Sequence, residues 1–194
     1  MALARRRLTP AVVGQKMSLE EFLKLPEGKP YLELREGTVT QKVSPQERHA
    51  LLQYGLAERI NGFGRPRKLA LALPELRGIF GSSFLVPDLA VYRWNRLRLL
   101  PSGEVDDVYG RPPHVVVEIR SPDQSLRDLA DKCLLYIRHG VPTVLLINPA
   151  RKWVRRFGAD GSDTTLRGDE RIDLDSVLPG FDLTVNEVFE ALKS

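Results

Sequence analysis

Asp88 and Glu118 are carboxylates set among apolar residues, and they are where the chain's chemistry begins. Phe84-Leu-Val-Pro-Asp88-Leu-Ala-Val-Tyr92 reads as a strand, with Pro87 marking an edge, a bulge or a strand start. Val115-Val-Val-Glu118-Ile-Arg120 reads as a second strand. A buried carboxylate without a partner is too costly to keep, so Glu118 lies at the solvent end of its strand or is held by a counter-group. Asp88 has two explanations, a satisfied structural ion pair or an active-site ligand. Two carboxylates at the ends of neighbouring core strands make a hard-oxygen site for Mg²⁺ or Mn²⁺, with the backbone carbonyl of Ile119 as a third ligand. Strand alternation sends Glu118 and Arg120 to one face, placing a cation where a scissile phosphate would lie. Lys132 on the following helix has two readings. It is either a further cation for that site or the second half of an Asp128–Lys132 surface pair worth tenths of a kcal/mol. The positive end of the same helix, near Leu126, favours an anion.

The elements that must position these groups follow from periodicity. From Pro113 to Pro149 the chain reads strand, helix, strand, with the helix closed by Gly140 and the second strand stopped by Asn148-Pro149. Strands apolar on nearly every residue are covered on both faces, so this βαβ unit belongs in the middle of a sheet flanked by helices. Ser18-Leu-Glu-Glu21 is a capping box that opens a short helix ending before Pro26. Tyr31 to Thr40 alternates about Glu36-Gly37 as a hairpin, with Glu33 and Arg35 opposite Leu32 and Leu34, so Glu33 is exposed or faces a cleft. A helix from Pro45 closes at Asn61-Gly62, with Leu51, Leu52, Leu56, Ala57 and Ile60 on one face and His49 at its start as a surface or capping residue. Arg65-Pro-Arg-Lys68 is a basic loop entering a strand at 69–73. Residues 95–112 read as a loop or flap, 153–157 as the start of a hairpin with a further strand in 164–174, and Thr184 as the cap of a terminal helix.

Composition limits the alternatives. With 194 residues, 42% hydrophobic and 28% charged, one domain is expected over 17–194 after a flexible arm at 1–16. The single cysteine, Cys133, excludes an intramolecular disulfide and zinc sites of the cysteine–histidine kind, and it reads as a small core residue. No apolar run approaches the roughly 18 to 20 residues a bilayer needs, and the Arg5-Arg-Arg7 start lacks the apolar core of a signal peptide, so a soluble, cytoplasmic protein is expected. A net charge of +4 fits a polyanion partner and equally a heat-adapted surface.

Several motifs in order carry a family resemblance: Met17-Ser-Leu-Glu-Glu-Phe-Leu23, Tyr31-Leu-Glu-Leu34 with Gly37, Val86-Pro-Asp88, Val117-Glu-Ile-Arg-Ser-Pro122, Arg127-Asp128 with Lys132 and Tyr136, Gly140-Val-Pro142 and Leu178-Pro-Gly180. The chain resembles the Uma2 family (DUF820) over about 17–192, and through it the PD-(D/E)XK nuclease superfamily. The resemblance implies an α/β fold with a restriction-endonuclease-like core, a mixed sheet flanked by helices with added hairpins. It implies that Asp88 and Glu118 hold Mg²⁺ or Mn²⁺ and that Lys132 takes the part of the lysine usually found two residues after the glutamate. Glu33, if its hairpin face turns to the cleft, is the further candidate to complete the metal shell. Arg120 stands at that usual place. Arginine cannot act as a base, so proton abstraction falls to metal-bound hydroxide or to Lys132. Asp123 and Asn148 also replace the family's frequent serine and aspartate.

The expected activity is metal-dependent hydrolysis of DNA phosphodiester bonds by a symmetric dimer on double-stranded DNA, with Arg65, Arg67, Lys68 and Arg93 lining the nucleic-acid groove. The alternatives are an inactive nucleic-acid-binding or regulatory protein on the same fold, and an acid/base hydrolase using the two carboxylates without metal.

Overall fold

The structure, a computed structural model, describes residues 11–106 and 111–193. Helix α1 (Leu19–Phe22) starts at the anticipated capping box, where the Ser18 hydroxyl accepts from the Glu21 amide and the Glu21 carboxylate accepts from the Ser18 amide. Strands β1 (Leu32–Arg35) and β2 (Thr38–Gln41) meet at Glu36-Gly37, whose φ values of 48° and 80° supply the twist a two-residue hairpin turn needs. Of the arm expected over 1–16, residues 1–10 lie outside the described residues. Residues 11–16 run beside β2, where the Gly14 amide donates to the Val39 carbonyl and the Val39 amide to the Gln15 carbonyl. The open edge of β2 offers backbone groups that require partners, and this segment supplies them.

Helix α2 (Glu47–Gly64) runs past the stop expected at Asn61-Gly62. A glycine inside a helix costs only about 1 kcal/mol. Asn61 is drawn away from capping, since its side chain bonds both the amide and the carbonyl of Ala72. Leu51 was expected on the packed face but is exposed, while Leu52, Leu56 and Ile60 are buried. Gly64 then lets α2 lie on β3 (Ala70–Pro74), because a Cβ there would stand 2.7 Å from the Ala70 carbonyl oxygen and 2.9 Å from a Leu178 methyl. Gly64→Ala is accordingly expected to destabilise the protein by about 1–3 kcal/mol in urea unfolding, although alanine is the better helix former. A gain in stability would show that the contact relaxes freely.

The strand expected over 84–92 is two strands. Proline has no N–H to give a ladder, and at Pro87 the chain leaves β5 (Ser83–Leu85) and enters β6 (Leu89–Arg93) in a different sheet. Strand β4 (Gly78–Phe80), which the sequence did not suggest, pairs with β5. Within 95–112 the described residues carry an isolated Leu99–Val105 bridge, and 107–110 lie outside them. The central unit forms as expected, β7 (Val115–Ile119), α3 (Leu126–Arg138) and β8 (Thr143–Asn148), with β7 and β8 parallel. The hairpin β9 (Trp153–Gly158) and β10 (Asp163–Arg167) and the capped helix α4 (Val185–Glu190) complete the chain.

Two sheets result. The antiparallel sheet runs β2-β1-β5-β4, and the mixed sheet runs β10-β9-β8-β7-β6-β3 with the βαβ unit at its centre. Alternation divides the mixed sheet's residues between two cores. Val115, Val117, Ile119, Leu145 and Ile147 face α2 and α4, whereas Val116, Val144 and Leu146 face α3. Glu118 follows Val116 in that alternation and is therefore aimed at α3.

Candidate active site

On α3, Leu129, Lys132, Cys133 and Tyr136 recur at the spacing of one helical face, and all four are buried. Lys132 thus occupies a core stripe and meets Glu118 across the sheet face. Its ammonium lies 2.9 Å from Glu118 Oε1 and 2.8 Å from Glu33 Oε1. The Tyr136 hydroxyl donates to Glu118 Oε1 at 2.8 Å. The surface pair with Asp128 does not form, because the buried acids offer Lys132 a stronger partner than an exposed one.

Glu33 arrives from the second sheet. Its Oε1 also accepts the Val86 amide at 2.7 Å, tying the hairpin to the segment that crosses between the sheets. Two residues on, Asp88 is met on both oxygens. Oδ1 takes the Lys42 ammonium at 2.6 Å, and Oδ2 takes the Ile119 amide at 2.6 Å and His49 Nε2 at 3.0 Å. The Asp88 carbonyl accepts from Gln53. His49, expected at the surface, is 7% exposed, and its Nδ1 has no hydrogen-bond partner among the described residues. The first turn of α2 points it inward onto Asp88.

Glu33, Lys42, His49, Asp88, Glu118 and Lys132 line a cleft of about 380 Å³ at the junction of the two sheets. Burial raises the Glu118 acid, Lys132 opposes that, and Asp88 and Glu33 add to it, leaving Glu118 above the ordinary carboxylate value. Burial would raise Asp88 as well, but Lys42 and His49 outweigh it and hold that acid well below the usual range. Desolvation disfavours the charged form of both lysines, and the acids beside them overcome it, so Lys42 and Lys132 are raised and remain ammonium ions. Tyr136 keeps its proton, pushed up by burial and by Glu118.

The structure gathers Glu33, Asp88, Glu118, Lys132 and the backbone of Ile119, whose side chain is in the core. Arg120 does not join them. Strand β7 ends at Ile119, alternation stops there, and Arg120 Nε donates to the Gln124 carbonyl at 3.1 Å at the rim. The basic loop also lies away from the cleft. Ala70 pairs with Arg93 and Pro74 with Leu89, so Arg65, Arg67, Lys68 and Arg93 stand at the opposite end of β3 and β6 from Asp88, roughly 15 Å along the strand. Arg67 packs over the Phe63 ring and Arg93 donates to the Ser176 carbonyl. Arg35, which bonds the Asp128 carbonyl, lines the cleft, and Arg48, which reaches Pro149 just past β8, lies at the cleft's end of the sheet.

Among the described residues no three histidine, cysteine or acidic side chains are arranged as they stand to hold a metal ion. The donor chemistry nonetheless fits a hard divalent cation. Three carboxylates and the Ile119 carbonyl share one cleft, and Oε2 of Glu33 and of Glu118 accepts no hydrogen bond among the described residues and is not sealed away. What such an ion would find at Asp88 is an ammonium.

The Uma2 family model, described as "Putative restriction endonuclease", matches residues 19–186. A crystal structure from Anabaena variabilis ATCC 29413, described as a "putative nuclease belonging to DUF820", is 32% identical, with 91% of this chain and 99% of that one aligned at a TM-score of 0.85. No curated protein matches the chain.

Proposed function

The chain belongs to the Uma2 family, and from that premise we propose that it is an endonuclease hydrolysing DNA phosphodiester bonds with the aid of Mg²⁺ or Mn²⁺. The observation that supports this reading is Lys132, buried between Glu33 and Glu118 in the same cleft as Asp88. Asp88, Glu118, Glu33 and the Ile119 carbonyl would hold the ion, which when bound polarises a phosphate oxygen and acidifies a water.

The chain's own residues do the rest. Lys132 is an ammonium with two acid partners, so it serves as an electrostatic donor to charge developing on the phosphate and not as the base. Tyr136 keeps Glu118 in one rotamer, and His49 does the same for Asp88. Arg35 in the cleft, with Arg48 and Arg120 at the cleft's end of the mixed sheet, would steer and position the phosphate backbone. With one cleft per chain, a two-fold pair would cut both strands of a duplex.

The test is supercoiled plasmid incubated with the protein in Mg²⁺, Mn²⁺ or EDTA. Nicking is expected with either metal and none with EDTA. Binding without nicking would favour the inactive nucleic-acid-binding reading, and hydrolysis that survives EDTA would favour acid/base chemistry by the carboxylates alone.

A further inference from the structure

Lys42 is a buried cation that the proposed chemistry leaves without a task. It extends β2 by one residue, on the strand face that carries Glu33 and Thr40, and its side chain is 8% exposed. The ammonium donates to Asp88 Oδ1 and to the Val86 carbonyl, both at 2.6 Å. The other Asp88 oxygen already holds His49 and the Ile119 amide. The acid best suited to anchor a metal therefore has donors on both oxygens, and one of them carries a full positive charge.

Lys132 differs in this respect. It touches only Oε1 of Glu33 and Oε1 of Glu118, so each acid keeps a second oxygen for an ion. Charge counting points the same way. Glu33, Asp88 and Glu118 against Lys42 and Lys132 give 2 − 3 = −1, one unit short of balancing a divalent ion. Without Lys42 the sum is −2, which a divalent ion cancels. The cleft gives the lysine stem room to move, and that stem is flexible.

We propose that Lys42 is a resident counter-cation that competes with the divalent ion for Asp88. Metal entry requires its ammonium to leave Oδ1, and Lys42 thereby sets the metal concentration at which the site fills. The inference rests on the endonuclease reading above, and it names the regulation of that same site.

The test titrates Mn²⁺ into the metal-free native protein, Lys42→Met and Lys42→Arg, following free Mn²⁺ by electron paramagnetic resonance. Removing a unit charge a few ångströms from the ion should tighten Mn²⁺ binding at least about tenfold in Lys42→Met, and Lys42→Arg should stay near native. Equal or weaker binding by Lys42→Met overturns the proposal. Should that variant not fold without metal, the native chain decides. Acetylation by an amine-reactive reagent, read peptide by peptide, should spare Lys42 in EDTA and modify it at saturating Mn²⁺, and protection that persists at saturation overturns the proposal. Plasmid nicking separates the two levels of inference. If native protein nicks with Mg²⁺ while Lys42→Met binds Mn²⁺ no better, the competition fails and the endonuclease reading stands. If neither protein binds Mn²⁺ and neither nicks, both fail.

Discussion

Lys132→Met is expected to destabilise the protein by about 3–5 kcal/mol, because it removes one partner from a buried ion cluster and leaves the others. For a chain of this length that corresponds to a fall of roughly 10 °C in the thermal midpoint. Methionine preserves the volume of the stem, so the loss comes from charge and not from a cavity. Glu33 and Glu118 would then share a buried space with neither held by its ammonium. Two such acids relieve the strain by taking a proton, and Glu118 already sits above its ordinary value. The sign of the pH dependence follows. In the variant, the folded state binds protons more tightly than the unfolded chain, so the deficit relative to native should be largest near neutrality and shrink as pH falls toward about 5. Thermal unfolding of both proteins over that range measures it. A deficit of a few tenths of a kcal/mol, independent of pH, would return Lys132 to a solvated pair with Asp128.

Glu118→Gln should lower metal-dependent nicking by at least about 10²- to 10³-fold, with the fold retained. The amide keeps an oxygen to accept the Tyr136 hydroxyl, so the packing around it survives. What disappears is the negative charge that makes Glu118 a ligand and a counter-charge for Lys132. Initial rates on supercoiled DNA, compared at saturating Mg²⁺, separate this from a mere weakening of binding. Full turnover by a folded Glu118→Gln protein would remove Glu118 from the metal site.

How much of this site the sequence reveals depends on whether a residue's neighbours announce its direction. Lys132 is only half legible, since the sequence leaves it between the site and a surface pair with Asp128, although Leu129, Cys133 and Tyr136 share the face on which it is buried. Glu33 is legible by alternation against Leu32 and Leu34, and Glu118 by its place after three valines. Lys42 and His49 are not. Their partner Asp88 lies 46 and 39 residues away, and a lysine at a strand end or a histidine in a first helical turn is most often solvated. Tyr136 is anticipated on the helix one turn beyond Lys132, yet nothing local tells that its hydroxyl serves Glu118. The basic run Arg65–Lys68 shows the opposite failure. Its charge is plain in the sequence, but which end of the sheet it occupies is decided by the antiparallel register of β3 on β6, a long-range fact. Pro87 marks a discontinuity correctly, and only tertiary structure shows that a change of sheet lies behind it.

The separation of these partners along the chain also bears on how the molecule folds. Glu33 and Lys132 are 99 residues apart, one on the antiparallel sheet and the other on the helix packed against the mixed sheet, and their contact exists only once the hairpin has docked beside the βαβ unit. Loop-closure entropy makes such a contact a late event, while the short-range turns and the parallel pair with its crossover helix can form earlier. Until that step, Glu33, Lys42, Asp88, Glu118 and Lys132 are charges that resist being dehydrated in any arrangement but the one that matches them. Compact forms with the hairpin seated wrongly would strand at least one ion in an apolar setting. The cluster that is proposed to cut nucleic acid thus also acts, during assembly, as a checkpoint on the register of the two sheets.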